Sequence, residues 1–267
     1  MAHIRLDNVT LHYPTNQKSA SEESDRAGDI KVAGRLVETG RGRVSVQAVE
    51  AVTLSLEDGD RLGIIGSNGS GKTSLLRLMA GIYSPTAGQV SVEGRVAAMF
   101  SIGLGMQGEA SGLRNIYLSG LVSGATRKQI KAAIPEIVAF TELGDYINMP
   151  IRTYSQGMSM RLKFACATAF RPDIVLLDEW IGAGDADFQD KAQKRLSSLL
   201  EGAGIVVIAS HNRQLIRRVS NKLLWLERGR VMAFGEPEAV LEKRAAAEKE
   251  AGRQRTAAAP VESDTVG

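Results

Sequence analysis

The sequence predicts an α/β fold on a mainly parallel core sheet, and three observations carry that reading. Short apolar runs alternate with helical patterns along much of the chain, as strand–helix–strand units do. Leu62 to Ile65 and Ile174 to Leu177 are short, almost wholly apolar runs, the pattern of strands buried on both faces. The first run leads into a glycine-rich loop and the second ends on two carboxylates. Open parallel sheets bind their ligands beyond such strand ends.

Taken in order, Ile4 to His12 alternates apolar and polar residues as a half-buried strand. From residue 14 to residue 43 the composition turns to Ser, Glu, Asp, Lys and Gly, which reads as an exposed insertion. Within it Ile30, Ala33, Leu36 and Val37 recur at helical spacing, so a short amphipathic helix is expected there. Val44 to Leu56 resumes strand character, and Glu57-Asp58-Gly59-Asp60 makes a turn. Ser74 to Ala80 reads as a helix stopped by Gly81, and Gln89 to Met99 as two strands around Gly94. Residues from about 102 to 170 are mostly helical, with breaks at Gly144 and Pro150, and form a subdomain inserted in the core. Beyond Asp178 the pattern alternates again. Helices are expected near Asp187 to Leu200 and Arg213 to Val219, and strands at Ile205 to Ala209, Leu223 and Val231. Residues 242–267, rich in Ala, Glu, Lys and Arg, are expected as an exposed helix and a flexible tail. The main domain is thus expected over residues 1–241.

Composition narrows the classes. The chain has 267 residues, 43% hydrophobic and 24% charged, as soluble globular proteins do. A net charge of +3, with scattered Lys and Arg, argues against nucleic acid as a partner. The single cysteine, Cys166, forms no internal disulfide and suits a reducing compartment. No stretch approaches the roughly 18 apolar residues that span a bilayer, and the N-terminus has no apolar signal core. A cytosolic chain is expected.

The glycine-rich segment is Gly66-Ser67-Asn68-Gly69-Ser70-Gly71-Lys72-Thr73, followed by Ser74. A polyphosphate needs many donors close together. Glycines let the backbone curl so that successive N–H groups converge, and the following helix adds its positive end. In such a P-loop Lys72 reaches the β- and γ-phosphates and the Thr73 hydroxyl binds Mg²⁺. Asp178 stands where a carboxylate can orient that ion through water. Glu179 is then free to polarise the attacking water, since this chemistry is mainly positioning and charge stabilisation. The catalytic candidates are accordingly Lys72 and Glu179, with ATP and Mg²⁺ as cofactors.

With Tyr154-Ser155-Gln156-Gly157-Met158 between the P-loop and the acids, and a lone His211 after a strand, the chain resembles the nucleotide-binding subunits of ABC transporters. The resemblance runs from about Ile4 to Leu241. It implies an ABC-type P-loop NTPase with an added N-terminal antiparallel β subdomain. It also implies a head-to-tail homodimer with two ATP molecules between subunits. In the signature Ser155, Gln156 and Gly157, acting in trans, Ser155 and Gly157 would meet the γ-phosphate held by the partner's P-loop, and His211 would touch it from the side of Lys72, as a third catalytic residue. Asp185 would lie on the loop that crosses the dimer seam, and Tyr13 would stack on adenine. The family's usual glutamine at the start of the helical subdomain has no clear counterpart. Its position falls near Ser101, and Gln107 is the nearest glutamine.

Tyr-Ser-Gln-Gly-Met in place of the commoner Leu-Ser-Gly-Gly-Gln, Ser101 to Met106, Gly184 to Gln189, and the insertion after Tyr13 look like the bacterial polysaccharide exporters of O-antigen, capsule and teichoic acid. That resemblance implies an integral membrane partner subunit, a lipid-linked glycan as substrate, and a peripheral position on the cytoplasmic face of the inner membrane. In that group the insertion carries a short helix, for which Ile30 to Val37 is the candidate. Some members append a β-sandwich of roughly 100 residues. Only about thirty helix-like residues follow Leu241, so no such sugar-reading domain is expected. Two other readings stay open: an ABC ATPase for another substrate, and a soluble one serving translation or DNA repair. Soluble members join two cassettes or carry a long coiled-coil insert, and neither pattern occurs here.

Overall fold

A computed structural model describes residues 1–18, 35–39, 43–179 and 186–257. The N-terminal part holds strands β1 (His3–Lys18), β2 (Arg35–Thr39), β3 (Arg43–Glu57) and β4 (Arg61–Ile65), then helix α1 (Lys72–Met79) and strands β5 (Ala87–Glu93) and β6 (Val96–Ala98). Helices α2 (Gly112–Val122), α3 (Arg127–Thr141) and α4 (Gln156–Ala169) form the helical part. Strand β7 (Ile174–Asp178), α5 (Ala186–Gly202), β8 (Ile205–Ala209), α6 (Arg213–Val219), β9 (Lys222–Glu227), β10 (Arg230–Gly235) and α7 (Pro237–Ala257) follow.

Two sheets result. A four-stranded antiparallel sheet has the order β2-β3-β1-β5, and a six-stranded sheet the order β10-β9-β4-β8-β7-β6. In the larger sheet every pair is parallel except β9–β10. Strand alternation divides its side chains between two apolar layers. Leu62, Ile64, Leu176, Val207 and Leu224 pack with α1 and the antiparallel sheet. Ile65, Val175, Leu177, Val206, Ile208 and Trp225 pack on the other face with α5, α6 and α7. Both faces are covered, which is why β4, β7 and β8 read as apolar runs. Gly63 permits the close approach of α6: a Cβ there would lie 2.9 Å from Ile216 Cγ2 and 2.8 Å from Leu223 Cδ1.

The helical part has its own core of Ile116, Ile137, Leu143, Ile147, Leu162, Ala165 and Cys166. Cys166 is buried, and burial pushes its thiol up to about 12, which keeps it protonated and unreactive. Ser111 caps α2 by accepting from the Arg114 N–H, and Thr126 with Gln129 forms a capping box on α3. The break between these two helices, at Ser123 to Thr126, is additional to those expected at Gly144 and Pro150.

The expected helix over Ile30 to Val37 is corrected in part. Leu36 and Val37 lie in β2, with Leu36 opposite Val46 and Val37 opposite Ser45 of β3. The apolar positions share a helical spacing, but Val37 and Thr39 are β-branched and the long β3 supplies backbone partners. Ile30 and Ala33 lie outside the described residues. Strand β1 also continues past Tyr13 to Lys18, so Tyr13 lies within the strand, opposite Val46. The C-terminal helix begins earlier than residue 242. Its first turns bury Val240 and Leu241 against the larger sheet, while Glu238 pairs with Arg217 of α6 at 3.0 Å.

Candidate functional site

The P-loop leaves β4 at Ile65 and enters α1 at Lys72, and its shape depends on backbone that only glycine can supply. A Cβ on Gly66 would stand 2.1 Å from the Leu226 carbonyl oxygen. Gly71 caps α1 in the left-handed region at φ 104°, and a Cβ there would stand 2.3 Å from the Ala48 carbonyl oxygen. Inside the loop the Ser70 N–H donates to the Ser67 carbonyl at 3.1 Å. Ser67, Asn68 and Gly69 are exposed, whereas Ser70 and Lys72 are buried. Lys72 Nζ donates to the carbonyls of Gly66 and Ser67, each at 3.0 Å, so its ammonium lies over the loop. Burial lowers the Lys72 pKa. Asp178 and Glu179 push it back up, Arg244 of α7 pushes it down, and Glu227 up.

The ends of three adjacent parallel strands bring the acids and the histidine to this loop. From β7, Asp178 accepts a 2.6 Å hydrogen bond from Thr73 Oγ1. Hydroxyl and carboxylate oxygens placed side by side are the hard donors that Mg²⁺ takes. Glu179 adopts φ 63°, a conformation that costs a non-glycine residue roughly 1–2 kcal/mol. Its N–H donates to the Ala209 carbonyl at 2.8 Å. After β8, His211 faces it, with Nε2 3.6 Å from Glu179 Oε1. The chain is then turned into α6 by Asn212, whose side chain accepts from the N–H groups of Gln214 and Leu215.

Tyr13 lies beside the same helix. Its hydroxyl shares a 2.9 Å hydrogen bond with Ser74 Oγ, and its ring meets Tyr83 edge-on with centroids 5.6 Å apart. The signature segment stands at the start of α4. Ser155 caps that helix by accepting from the Met158 N–H at 3.2 Å, and Ser155, Gln156 and Gly157 are exposed. Tyr154 anchors the segment. Its ring packs on the helical core and its hydroxyl donates to the Tyr146 carbonyl at 2.7 Å; burial raises its pKa. Gly112 makes room for it, since a Cβ there would lie 2.4 Å from that hydroxyl. Asp185 lies outside the described residues.

Ser101 ends a 3₁₀ turn at Met99–Ser101 and is half-buried, while Gln107 is exposed. Among the described residues neither side chain bonds to the P-loop or to Asp178. Asn115, missed by the sequence reading, organises the segment. Fully buried, it accepts from the Gln107 N–H at 2.7 Å and donates from Nδ2 to the carbonyls of Gln107, Ala110 and Ser111 at 3.0–3.1 Å. Asn115→Ala leaves these buried groups unpaired, at a cost of about 1–3 kcal/mol. Thermal denaturation should show a midpoint lower by roughly 3–10 °C.

The family model described as "ABC transporter" matches residues 49–182, from β3 to just beyond the acidic pair. An O-antigen export system ATP-binding protein of Yersinia enterocolitica is 43% identical over 229 residues, covering 86% of this chain and 96% of the relative. Its counterpart in Klebsiella pneumoniae is 34% identical over 239 residues, covering 90% and 96%. A teichoic acids export ATP-binding protein of Bacillus cereus is 35% identical over 233 residues, covering 87% of this chain but 40% of its own length. Among solved structures, a dimeric ATP-binding cassette bound to ADP and Pi in a post-hydrolysis state is similar, with a TM-score of 0.61 at 20% identity, covering 88% of this chain and 98% of the other. Family model, two relatives matched along 96% of their length and an ATP-binding cassette fold agree: this chain belongs to the ABC transporter family, as an ATP-binding subunit that hydrolyses ATP.

Proposed function

We propose that this chain drives export of a lipid-linked polysaccharide of the O-antigen type. It would work as a homodimer at the cytoplasmic face of the bacterial inner membrane, seated on an integral membrane subunit. The observation that carries the cargo is the match to an O-antigen export protein along 96% of that relative's length. The geometry carries the engine: Thr73 with Asp178, and Glu179 with His211, converge on one P-loop. A teichoic acid or another glycan is the second reading, favoured by the 35% identity to a teichoic acids export protein.

In this reading the backbone N–H groups from Gly66 through Ser74 cradle the phosphates of ATP, and Lys72 neutralises the β- and γ-phosphates. Thr73, and Asp178 through water, would hold Mg²⁺. That ion would draw charge from the phosphate oxygens. Glu179 polarises the attacking water, and His211 steadies the γ-phosphate from beside it. Tyr13 offers its ring to the adenine. The exposed Ser155, Gln156 and Gly157 complete the site of the neighbouring subunit, and Asp185 is the residue we assign to the seam between the two.

Mixing subunits tests the shared site. Lys72→Ala and Ser155→Arg homodimers should each hydrolyse ATP poorly, because both of their sites are damaged. A mixed dimer contains one intact site, so combining the two proteins should restore a measurable part of wild-type phosphate release. No recovery, with mixed dimers present by mass, would count against composition in trans. Cargo and partner are tested by affinity capture from membranes. An integral membrane subunit and ATP-dependent movement of a lipid-linked glycan into vesicles should be found, whereas capture of ribosomes without a membrane subunit would overturn the exporter reading.

A further inference from the structure

We propose that the β9–β10 turn is a bracket that holds the P-loop in its phosphate-binding shape, with Glu227 as the positioning residue. The inference rests on the reading of residues 66–74 as the ATP site. Glu227 to Arg230 is a two-residue hairpin, with Arg228 at φ 47°, Gly229 at φ 82°, and Arg230 paired to Glu227. Positive φ at both central residues matches the turn geometry that the twist of a hairpin favours, so its shape is set by the chain itself.

This turn touches the P-loop at both ends of the curl. Ser67 Oγ donates a hydrogen bond to Glu227 Oε1. The Gly229 N–H donates to the Ser70 carbonyl at 2.8 Å. Just before Ser67, the Leu226 carbonyl stands so close to Gly66 that no side chain fits. The far side of the turn is tied to the antiparallel sheet. The Glu50 N–H donates to the Gly229 carbonyl at 2.8 Å, and Arg230 Nε donates to Glu50 Oε2 at 2.6 Å. Strand β3 also presents the Ala48 carbonyl to both glycines: a Cβ would lie 2.3 Å away at Gly71 and 2.9 Å away at Gly229. The P-loop, the hairpin turn and β3 therefore meet at one junction.

The chemistry explains why an acid suits this place. Ser67 to Gly69 is the exposed mouth of the loop, where the backbone would otherwise sample other conformations and lose the convergence of its N–H groups. A carboxylate accepting from Ser67 holds the start of the mouth, and the Gly229 N–H holds Ser70 just beyond its end. Glu227 also favours the proton on Lys72, though less than Asp178 and Glu179 do.

The test is nucleotide affinity across a mutant cycle. Glu227→Ala should weaken binding of a fluorescent ATP analogue about tenfold, equivalent to ~1.4 kcal/mol, and raise KM similarly with kcat changed by less than about twofold. Ser67→Ala should weaken it to the same extent, and the double variant should be no worse than either single one. Glu227→Gln keeps an oxygen acceptor and should recover most of the affinity. Lys72→Ala serves as the reference. If it loses ATP while Glu227→Ala and Ser67→Ala bind normally, the bracket is wrong and the site stands; if all three bind normally, the site reading fails too. Losses that multiply in the double variant, or Glu227→Gln as weak as Glu227→Ala, would also overturn the bracket. Should Glu227→Ala not fold, Ser67→Ala on the exposed mouth carries the same comparison.

Discussion

Glu179→Gln should bind ATP as the wild type does and hydrolyse it at least about a hundredfold more slowly. A positioned general base contributes roughly 10²–10⁴-fold, and the amide cannot polarise water as the carboxylate does. The substitution keeps the shape of the side chain, its φ of 63° and the N–H bond to the Ala209 carbonyl. The Thr73–Asp178 hydrogen bond and the Lys72 contacts are untouched by it. Phosphate release against bound nucleotide separates the two effects. Turnover near the wild-type rate would remove Glu179 from its role and leave His211 as the candidate beside the γ-phosphate.

The second large effect is on binding. Lys72→Ala should weaken ATP affinity by about a hundredfold or more, because it removes charge-assisted contacts to the phosphates worth roughly 1.5–3 kcal/mol each. The buried ammonium also bonds the Gly66 and Ser67 carbonyls, so the loop loses internal ties as well. Lys72→Arg should not rescue it. The planar guanidinium is larger than the ammonium it replaces, and the site is bounded by loop carbonyls with the side chain buried. Equilibrium binding of a labelled nucleotide measures both variants. Undiminished affinity in Lys72→Ala would contradict the P-loop assignment.

Much of this was legible because it is local in sequence. The apolar runs that became β4, β7 and β8 announced a covered parallel sheet, and apart from Tyr13, which lies within β1, the site groups described lie at a strand end or a helix start. Ser155, whose residue type favours a helix N-cap, caps α4 in the structure, a role the sequence reading did not assign to it. What the sequence left dark depends on contacts between distant residues. Glu227 and Ser67 are 160 positions apart, and Glu227 reads as an ordinary polar residue before a turn glycine. Asn115 looks like a surface polar residue of a helix until its four bonds to the preceding loop are seen. Leu36 and Val37 misled for a related reason, since helical spacing of few apolar residues says nothing of a long strand waiting to pair. The glutamine position also stayed open, because Ser101 and Gln107 are both near the required place and neither bonds to Asp178.

In the proposed dimer one subunit's Ser155 segment completes its neighbour's site, and molar mass reads this directly. Glu179→Gln, measured by light scattering during size-exclusion chromatography, should elute as a dimer with ATP and Mg²⁺ and as a monomer without nucleotide. Adding Ser155→Arg to it should abolish the dimer while each subunit still binds ATP. A Glu179→Gln protein that stays monomeric with ATP bound, or a dimer indifferent to Ser155→Arg, would rule out a site shared between subunits.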